Sequence, residues 1–345
     1  MSTNTWHNSI TGSGLTFGYL LLSSPSMARK PRIQYPGAVY HVILRGNAGE
    51  PIFFSDRDRY RLYLILQYAV EKFGCRIHGF CLMANHLHLV IQIGNISLSR
   101  IMQNISLRYT QWINLTWTRT GHVFQGRYKA LLLDADAYLL ELVRYVHLNP
   151  VRAGMVAAPE DYPWSGHRGY LGIEFLPWLT TQWVLSMFAP GSGQAQSAYR
   201  VFVADGISEA TRRNEFHRGT HEERILGDNR FAEETLSRVN QARRRAFSLT
   251  DVIAAVCRRY AISESQFKAQ GKTRPYTEAR AIAAFFVRES DHLSLTDLAG
   301  LLGRDVSALG KAAERIARDV VEGSAVRSMV EALRFDLAKI SETLT

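Results

Sequence analysis

Two β-type runs, 75–83 and 86–93, are separated only by Ala84-Asn85, and this spacing constrains the fold more than any other feature of the chain. Two residues are too few for a parallel crossover, so the runs can pair only as a hairpin with Asn85 in its turn. Successive side chains of a strand point to opposite faces, which places His86 and His88 together on one face and Leu87, Leu89 and Ile91 on the other. The leucine face is a core face. The histidine face carries two imidazoles spaced to clamp one metal ion. Taken alone, a His-x-His pair is more often two half-buried histidines with ordinary hydrogen-bond partners, and the rest of the chain has to decide.

Around the hairpin the hydrophobic period alternates between strand and helix. A strand is expected at 39–44, then a helix at 56–73 with Leu62, Ile65, Leu66 and Ala69 on one face and Ser55 and Asp56 as N-cap chemistry. A second helix follows at 98–117, a strand at 128–133, and a third helix at 135–148 that Asn149-Pro150 should end, because the residue before proline resists the α conformation. The order β, α, β, β, α, β, α is that of an α+β fold: a ferredoxin-like antiparallel sheet with helices on one face and an extra helix appended. The expected domains are a core over 29–172, a helical linker of unknown role over 173–245, and an all-α part over 246–345. The linker contains the turn Ala189-Pro190-Gly191-Ser192-Gly193 and the basic run Arg243-Arg244-Arg245, and no motif in it names a chemistry. In the last part, Ala299, Gly303 and Leu309 follow helix-turn-helix grammar: a small residue where two short helices approach, a glycine at the turn, and an apolar residue beyond. A plain helical hairpin packing its own core would share that pattern.

With 41 Lys and Arg against 31 Asp and Glu, the chain carries +10 and favours an anionic partner. No basic amphipathic helix stands beside an apolar anchor, so nucleic acid is expected and a membrane is not. Cys75, Cys81 and Cys257 form no CxxC pair or even framework, which points to a reducing cytoplasm. The apolar stretch 15–22 lacks a charged start, is interrupted by Thr16 and Gly18, and is too short to span a bilayer. Residues 1–28 are expected to be disordered or an overlong start, since Met27-Ala28-Arg29-Lys30-Pro31-Arg32 reads as a natural beginning.

The third helix supplies the remaining chemistry. Tyr145 and Asn149 are four apart and share a face, so a phenol and an amide oxygen can reach one place. If that face looks at His86 and His88, the two histidines and Asn149 could ligate a divalent ion and leave positions for water and a phosphate oxygen. Tyr145 would then attack the polarised phosphoryl group. Tyr138, on the same face, is the alternative nucleophile, while His147 points elsewhere and reads as a surface or base-contacting residue. Arg45, Arg127 and Lys129 lie beside strand ends where they could hold phosphates, and Tyr128, Trp112 and Trp117 are available to stack bases.

His86-Leu87-His88, Tyr145, Asn149 and the following Pro150-Val151-Arg152-Ala153-Gly154 together resemble the single-tyrosine HUH transposases, and among them the REP-associated tyrosine transposases of the insertion-sequence-200-like group. The likeness spans roughly residues 29–169, including Tyr35-Pro36-Gly37-Ala38-Val39-Tyr40-His41-Val42 and Phe124-Gln125-Gly126-Arg127-Tyr128-Lys129. It implies Mg²⁺ or Mn²⁺ on His86, His88 and Asn149, with Tyr145 forming a 5′-phosphotyrosine with single-stranded DNA. The implied substrate is a palindromic repeat folded as a hairpin, cleaved and rejoined, and a monomer is expected over a dimer. Imidazole is a softer ligand than Mg²⁺ prefers, so softness alone favours Mn²⁺ or Zn²⁺. Ala279-Arg280-Ala281-Ile282-Ala283 and the unit 295–316 resemble the duplex-DNA-binding domain of the replication initiator DnaA, with Arg304 as a DNA-binding candidate. Val306-Ser307-Ala308 replaces the usual His-Thr-Thr there, so the base-reading contacts do not transfer. The rival readings are a catalytically silent DNA-binding regulator and a small-molecule metallohydrolase; the latter lacks a nearby Asp or Glu ligand run.

Overall fold

The computed structural model describes residues 33–208, 213–245, 247–271, 273–290, 292–323 and 325–343. The expected N-terminal extension, 1–28, lies outside the described residues.

Five strands, β1 (Val39–Arg45), β2 (Arg76–Leu82), β3 (His86–Gln92), β4 (Lys129–Leu133) and β5 (Ile225–Leu226), form one sheet in the order β2-β3-β1-β4-β5. The β2–β3 hairpin forms as its spacing demands, and β1 runs antiparallel between β3 and β4. Strand alternation sorts the side chains: Val42, Leu44, Leu87, Leu89 and Ile91 pack on one face, against α1 (Asp56–Phe73) and α2 (Leu98–Thr116). Ser55 and Asp58 close a capping box at the start of α1, and Gly74, in the left-handed region at φ 62°, ends it.

The opposite face is also covered. There Val39, Cys81, Val90 and Leu133 meet Leu139, Leu142, Val143 and Val146 of α3 (Ala135–His147), the appended helix. A bulge in β2 between Ile77 and Gly79 accompanies this approach, and a Cβ on Gly79 would already touch Val90, Val143 and His147 at 3.4–3.7 Å. α3 stops at Leu148, and the chain turns at once into α4 (Asn149–Arg152), with Pro150 in the first turn, where its missing N–H is not needed.

The expectation of a purely antiparallel sheet is corrected at its edge, because β5 pairs parallel to β4. Its two residues come from the segment read as a helical linker, and periodicity cannot reveal so short a strand. Leu132 N and Asp134 N donate to the carbonyls of Arg224 and Leu226 at 2.7 and 2.8 Å, fastening it. α5 (His167–Tyr170) closes the expected core, and the rest of the linker segment is α6 (Gln182–Ser186), α7 (Ser192–Ser208), α8 (Glu215–Arg218) and α9 (Asn229–Arg245). The Arg243–Arg245 side chains lie outside the described set.

The C-terminal helices are α10 (Leu249–Tyr260), α11 (Glu264–Lys268), α12 (Tyr276–Glu289), α13 (Leu295–Leu302), α14 (Val306–Val321) and α15 (Ala325–Thr343). They share their own core, in which α12 is buried from Ala279 through Val287. Between α13 and α14, Gly303 sits at φ 58°, and Asp305 caps α14 by accepting from Ala308 N at 3.0 Å. Among the described residues, no helix is long and apolar enough to cross a membrane.

Candidate active site

The α3 face of the sheet brings His86, His88, Arg45, Lys129 and Tyr145 together. β1 pairs with β3 so that Arg45 lies opposite His86 and Ile43 opposite His88, and the same Ile43 lies opposite Lys129 on β4. His41, two residues before Ile43, therefore shares the face, and its ring stacks on His88 with centroids 5.1 Å apart. Tyr145 reaches in from α3, its ring centroid 6.2 Å from those of both His41 and His88. Tyr138 lies nearly two turns earlier in α3, and none of these ring contacts involves it.

Hydrogen bonding fixes the proton on each imidazole. His41 Nδ1 lies 2.8 Å from the Phe216 carbonyl, which can only accept, so that nitrogen carries the hydrogen. Burial holds the His41 pKa down to about 3, so the ring is neutral and its Nε2 is a bare acceptor. His88 Nδ1, 2.8 Å away, must then be the donor. The remaining His88 nitrogen, Nε2, is left with its lone pair exposed to the site; it is buried and has no hydrogen-bond partner. His86 is set the same way. Its Nδ1 donates to Asn85 Oδ1 at 2.8 Å, Asn85 in turn donates through Nδ2 to the Gly49 carbonyl at 3.1 Å, and His86 Nε2 stays bare. Burial, with Arg45 and His217 nearby, lowers the His86 pKa to about 4 and holds His88 neutral as well. Two neutral imidazoles whose Nδ1–H groups are held by outer acceptors and whose Nε2 lone pairs are free are the ligand set a divalent transition ion takes.

Tyr145 is 6% exposed, and its hydroxyl lies 2.5 Å from His217 Nε2. Burial raises the phenol's pKa, and burial with Arg45, Lys129 and Arg152 lowers that of His217, so the phenol donates to a neutral imidazole. Arg152 lies over the Tyr145 ring, its guanidinium carbon 4.1 Å from the centroid, and donates to the Tyr145 carbonyl at 2.8 Å. His217 and Phe216 sit on α8, inside the segment whose role the sequence leaves open. A lone histidine in Glu215-Phe216-His217-Arg218 carries no motif, and only the tertiary fold brings it to Tyr145.

The other expected residues divide. Asn149 is one turn beyond Tyr145, but its amide nitrogen is turned back on α3, donating to the Tyr145 and Val146 carbonyls at 2.9 and 3.3 Å. Its oxygen is the atom it could offer a metal. Among the described residues, no group of three or more His, Cys, Asp or Glu forms a metal cluster, so the histidine pair would need such a ligand. Arg127 is exposed and lines a cavity with α2 residues Met102, Gln103, Ser106 and Leu107, away from the histidines. Tyr128 is likewise packed in the core and is not presented for stacking. His147 is not a surface residue: it is fully buried, with Nδ1 2.5 Å from the Tyr199 hydroxyl, and a Cβ on Gly166 would stand 2.7 Å from its Nε2. Arg304 is partly buried and donates to the Ala269 and Gly271 carbonyls at 3.5 and 3.3 Å, which Arg280 also holds. It fastens a turn, while Ser307, Lys311 and Arg315 on α14 face outward.

Residues 34–149 match the family described as transposase IS200 like, and residues 249–316 match the bacterial DnaA protein helix-turn-helix. No curated protein matches the chain. A solved structure of a REP-associated tyrosine transposase bound to a REP hairpin is similar over 45% of this chain and 92% of that one, at 16% identity and a TM-score of 0.38. The chain thus carries an IS200-like transposase domain over 34–149 and a DnaA-like helix-turn-helix over 249–316.

Proposed function

We propose that the chain is a metal-dependent single-strand DNA transposase that cleaves and rejoins DNA at palindromic, REP-type hairpin sequences through a 5′-phosphotyrosine on Tyr145. The observation that carries this reading is the imidazole chain from the Phe216 carbonyl through His41 to the bare, buried Nε2 of His88, beside a phenol hydrogen-bonded to His217. His86 and His88 would hold Mg²⁺ or Mn²⁺ through Nε2, with the Asn149 oxygen as third ligand. Once bound, the ion would polarise a phosphodiester and offset the charge growing on its oxygens.

The chain's own groups do the rest. Tyr145 Oη attacks the phosphorus while its proton passes to His217 Nε2, 2.5 Å away. The Oη–P bond forms, the P–O3′ bond breaks, and the departing 3′-oxygen takes a proton from water. Arg45 and Lys129, whose charges are felt at the histidines, face the incoming backbone phosphates. Phenoxide is a better leaving group than an alkoxide, so a 3′-hydroxyl can reverse the step and rejoin the strand without ATP. The helix-turn-helix would dock on neighbouring duplex DNA, with the chain acting as a cytoplasmic monomer.

Labelled single-stranded oligonucleotides bearing palindromic repeats, incubated with Mn²⁺ or Mg²⁺ and resolved on denaturing gels, test the proposal. A metal-dependent protein–DNA band that disappears in Tyr145→Phe supports it. Tight binding without any adduct assigns the chain to the silent regulators.

A further inference from the structure

Outside the tyrosine site, aromatic rings and guanidiniums gather where α1 begins and α2 ends. Phe54 and Trp117 are tilted against each other at 5.4 Å between centroids and are 39% and 41% exposed. The Arg119 guanidinium lies 4.8 Å from the Phe54 centroid, and Arg57 and Arg61 lie 5.1 and 4.9 Å from that of Trp112. Among the described residues, none of these three arginines has a carboxylate within ion-pair distance, and Arg61 Nε is buried without a partner. The acids nearby are already engaged. Asp56 pairs with Arg59, and the fully buried Asp58 accepts from both indoles, from Phe54 N and from Ser55 N. That buried carboxylate holds both indoles and leaves the outer faces of Phe54 and Trp117, with the Arg57 guanidinium, to solvent.

The patch is continuous with the catalytic edge of the sheet. The strand leaving Arg45 makes Gly46 N→Asn85 O at 2.7 Å and Ile52 N→Ala84 O at 2.9 Å, so the loop that ends at Phe54 is bonded to the turn that presents His86. Rings displayed beside unpaired guanidiniums are what unpaired nucleobases stack on while the cations meet the backbone. From this juxtaposition we infer that Phe54 and Trp117, with Arg57, Arg61 and Arg119, form a stacking platform for unpaired bases of the DNA strand that runs to Tyr145. The inference rests on the transposase reading for the identity of that strand. Paired bases hide their faces in the helical stack, so the platform selects single strands over blunt duplex, and it does so with little regard to base identity.

The test is fluorescence anisotropy of the full-length chain with a fluorescein-labelled oligo-thymidylate and with a blunt duplex. Phe54→Ala should weaken oligo-thymidylate binding about tenfold while leaving duplex affinity unchanged, and Phe54→Trp should restore it. The double change Arg57→Ala with Arg119→Ala should flatten the salt dependence by about 0.7 for each phosphate that is no longer neutralised. Tryptophan fluorescence should be quenched on binding, and the quenching should shrink in Trp117→Phe. Unchanged oligo-thymidylate affinity in Phe54→Ala, or equal losses on duplex, overturns the platform. An adduct that forms normally in a Phe54→Ala variant with normal binding refutes the platform alone; wild-type binding that depends on Phe54 but yields no adduct refutes the transposase reading alone.

Discussion

Replacing His41 by leucine, a side chain of similar volume, removes the middle of the imidazole chain without opening a large cavity. Two bonds of 2.8 Å disappear together, which leaves His88 Nδ1–H and the Phe216 carbonyl without their partners. His88 is 1% exposed and Phe216 is fully buried. A buried polar group stranded in this way costs about 1–3 kcal/mol. Phe216 belongs to the short helix α8, whose neighbours are partly exposed, so its carbonyl can turn to water at part of that cost. The loss is therefore about 2–4 kcal/mol in urea unfolding. The second effect falls on metal affinity. Without His41 nothing fixes the proton on His88 Nδ1, and losing an outer-shell partner of a ligating histidine weakens binding by about 10–100-fold. Mn²⁺ titration followed by electron paramagnetic resonance reads this directly, with His88→Ala as the variant that lacks the ligand itself. A His41→Leu protein within about 0.5 kcal/mol of wild-type stability and with wild-type Mn²⁺ affinity would refute the tautomer argument.

Two further outcomes follow from the same geometry. His217→Ala should slow adduct formation by about 10²-fold or more through loss of the proton acceptor, with the folded state intact by circular dichroism; an unchanged rate removes His217 from the chemistry. Stability should fall on acidification. The folded pKa values of His41 and His86, about 3 and about 4, lie below the ordinary value, so the unfolded chain binds more protons below pH 6.5. Their contribution is present above pH 6.5 and is lost progressively toward pH 4 for His86 and toward pH 3 for His41. At pH 5 each costs about 2 kcal/mol relative to neutral pH, and urea unfolding at pH 7 and pH 5 with equal midpoints would contradict this.

Much of the core is legible in the sequence because its elements are long and periodic. The helix expected at 56–73 is α1 with the same bounds, and strand parity puts His86 and His88 on the face that Tyr145 meets. What escapes the sequence lies in short elements and in pairings made across the chain. β5 is two residues long, α8 is four, and His217 meets Tyr145 across 72 positions. The partnership of His41 with His88 is within reach of strand parity, since both lie on neighbouring antiparallel strands, but it requires the register to be known. His147 misleads because a histidine at the end of a helix resembles a surface residue until α7 covers it with Tyr199. Arg304 shows the converse: a basic residue at a helix-turn-helix boundary that holds the backbone carbonyls of Ala269 and Gly271, in the connection between α11 and α12.

The measurement closest to the central claim is mass spectrometry of nuclease-trimmed protein after reaction with an oligonucleotide labelled on either side of the cleavage position. A single modified peptide is expected, with a nucleotide joined through its 5′-phosphate to Tyr145, metal-dependent and absent in Tyr145→Phe. A linkage to Tyr138 or any other residue, or cleaved DNA with no covalent product, would contradict it.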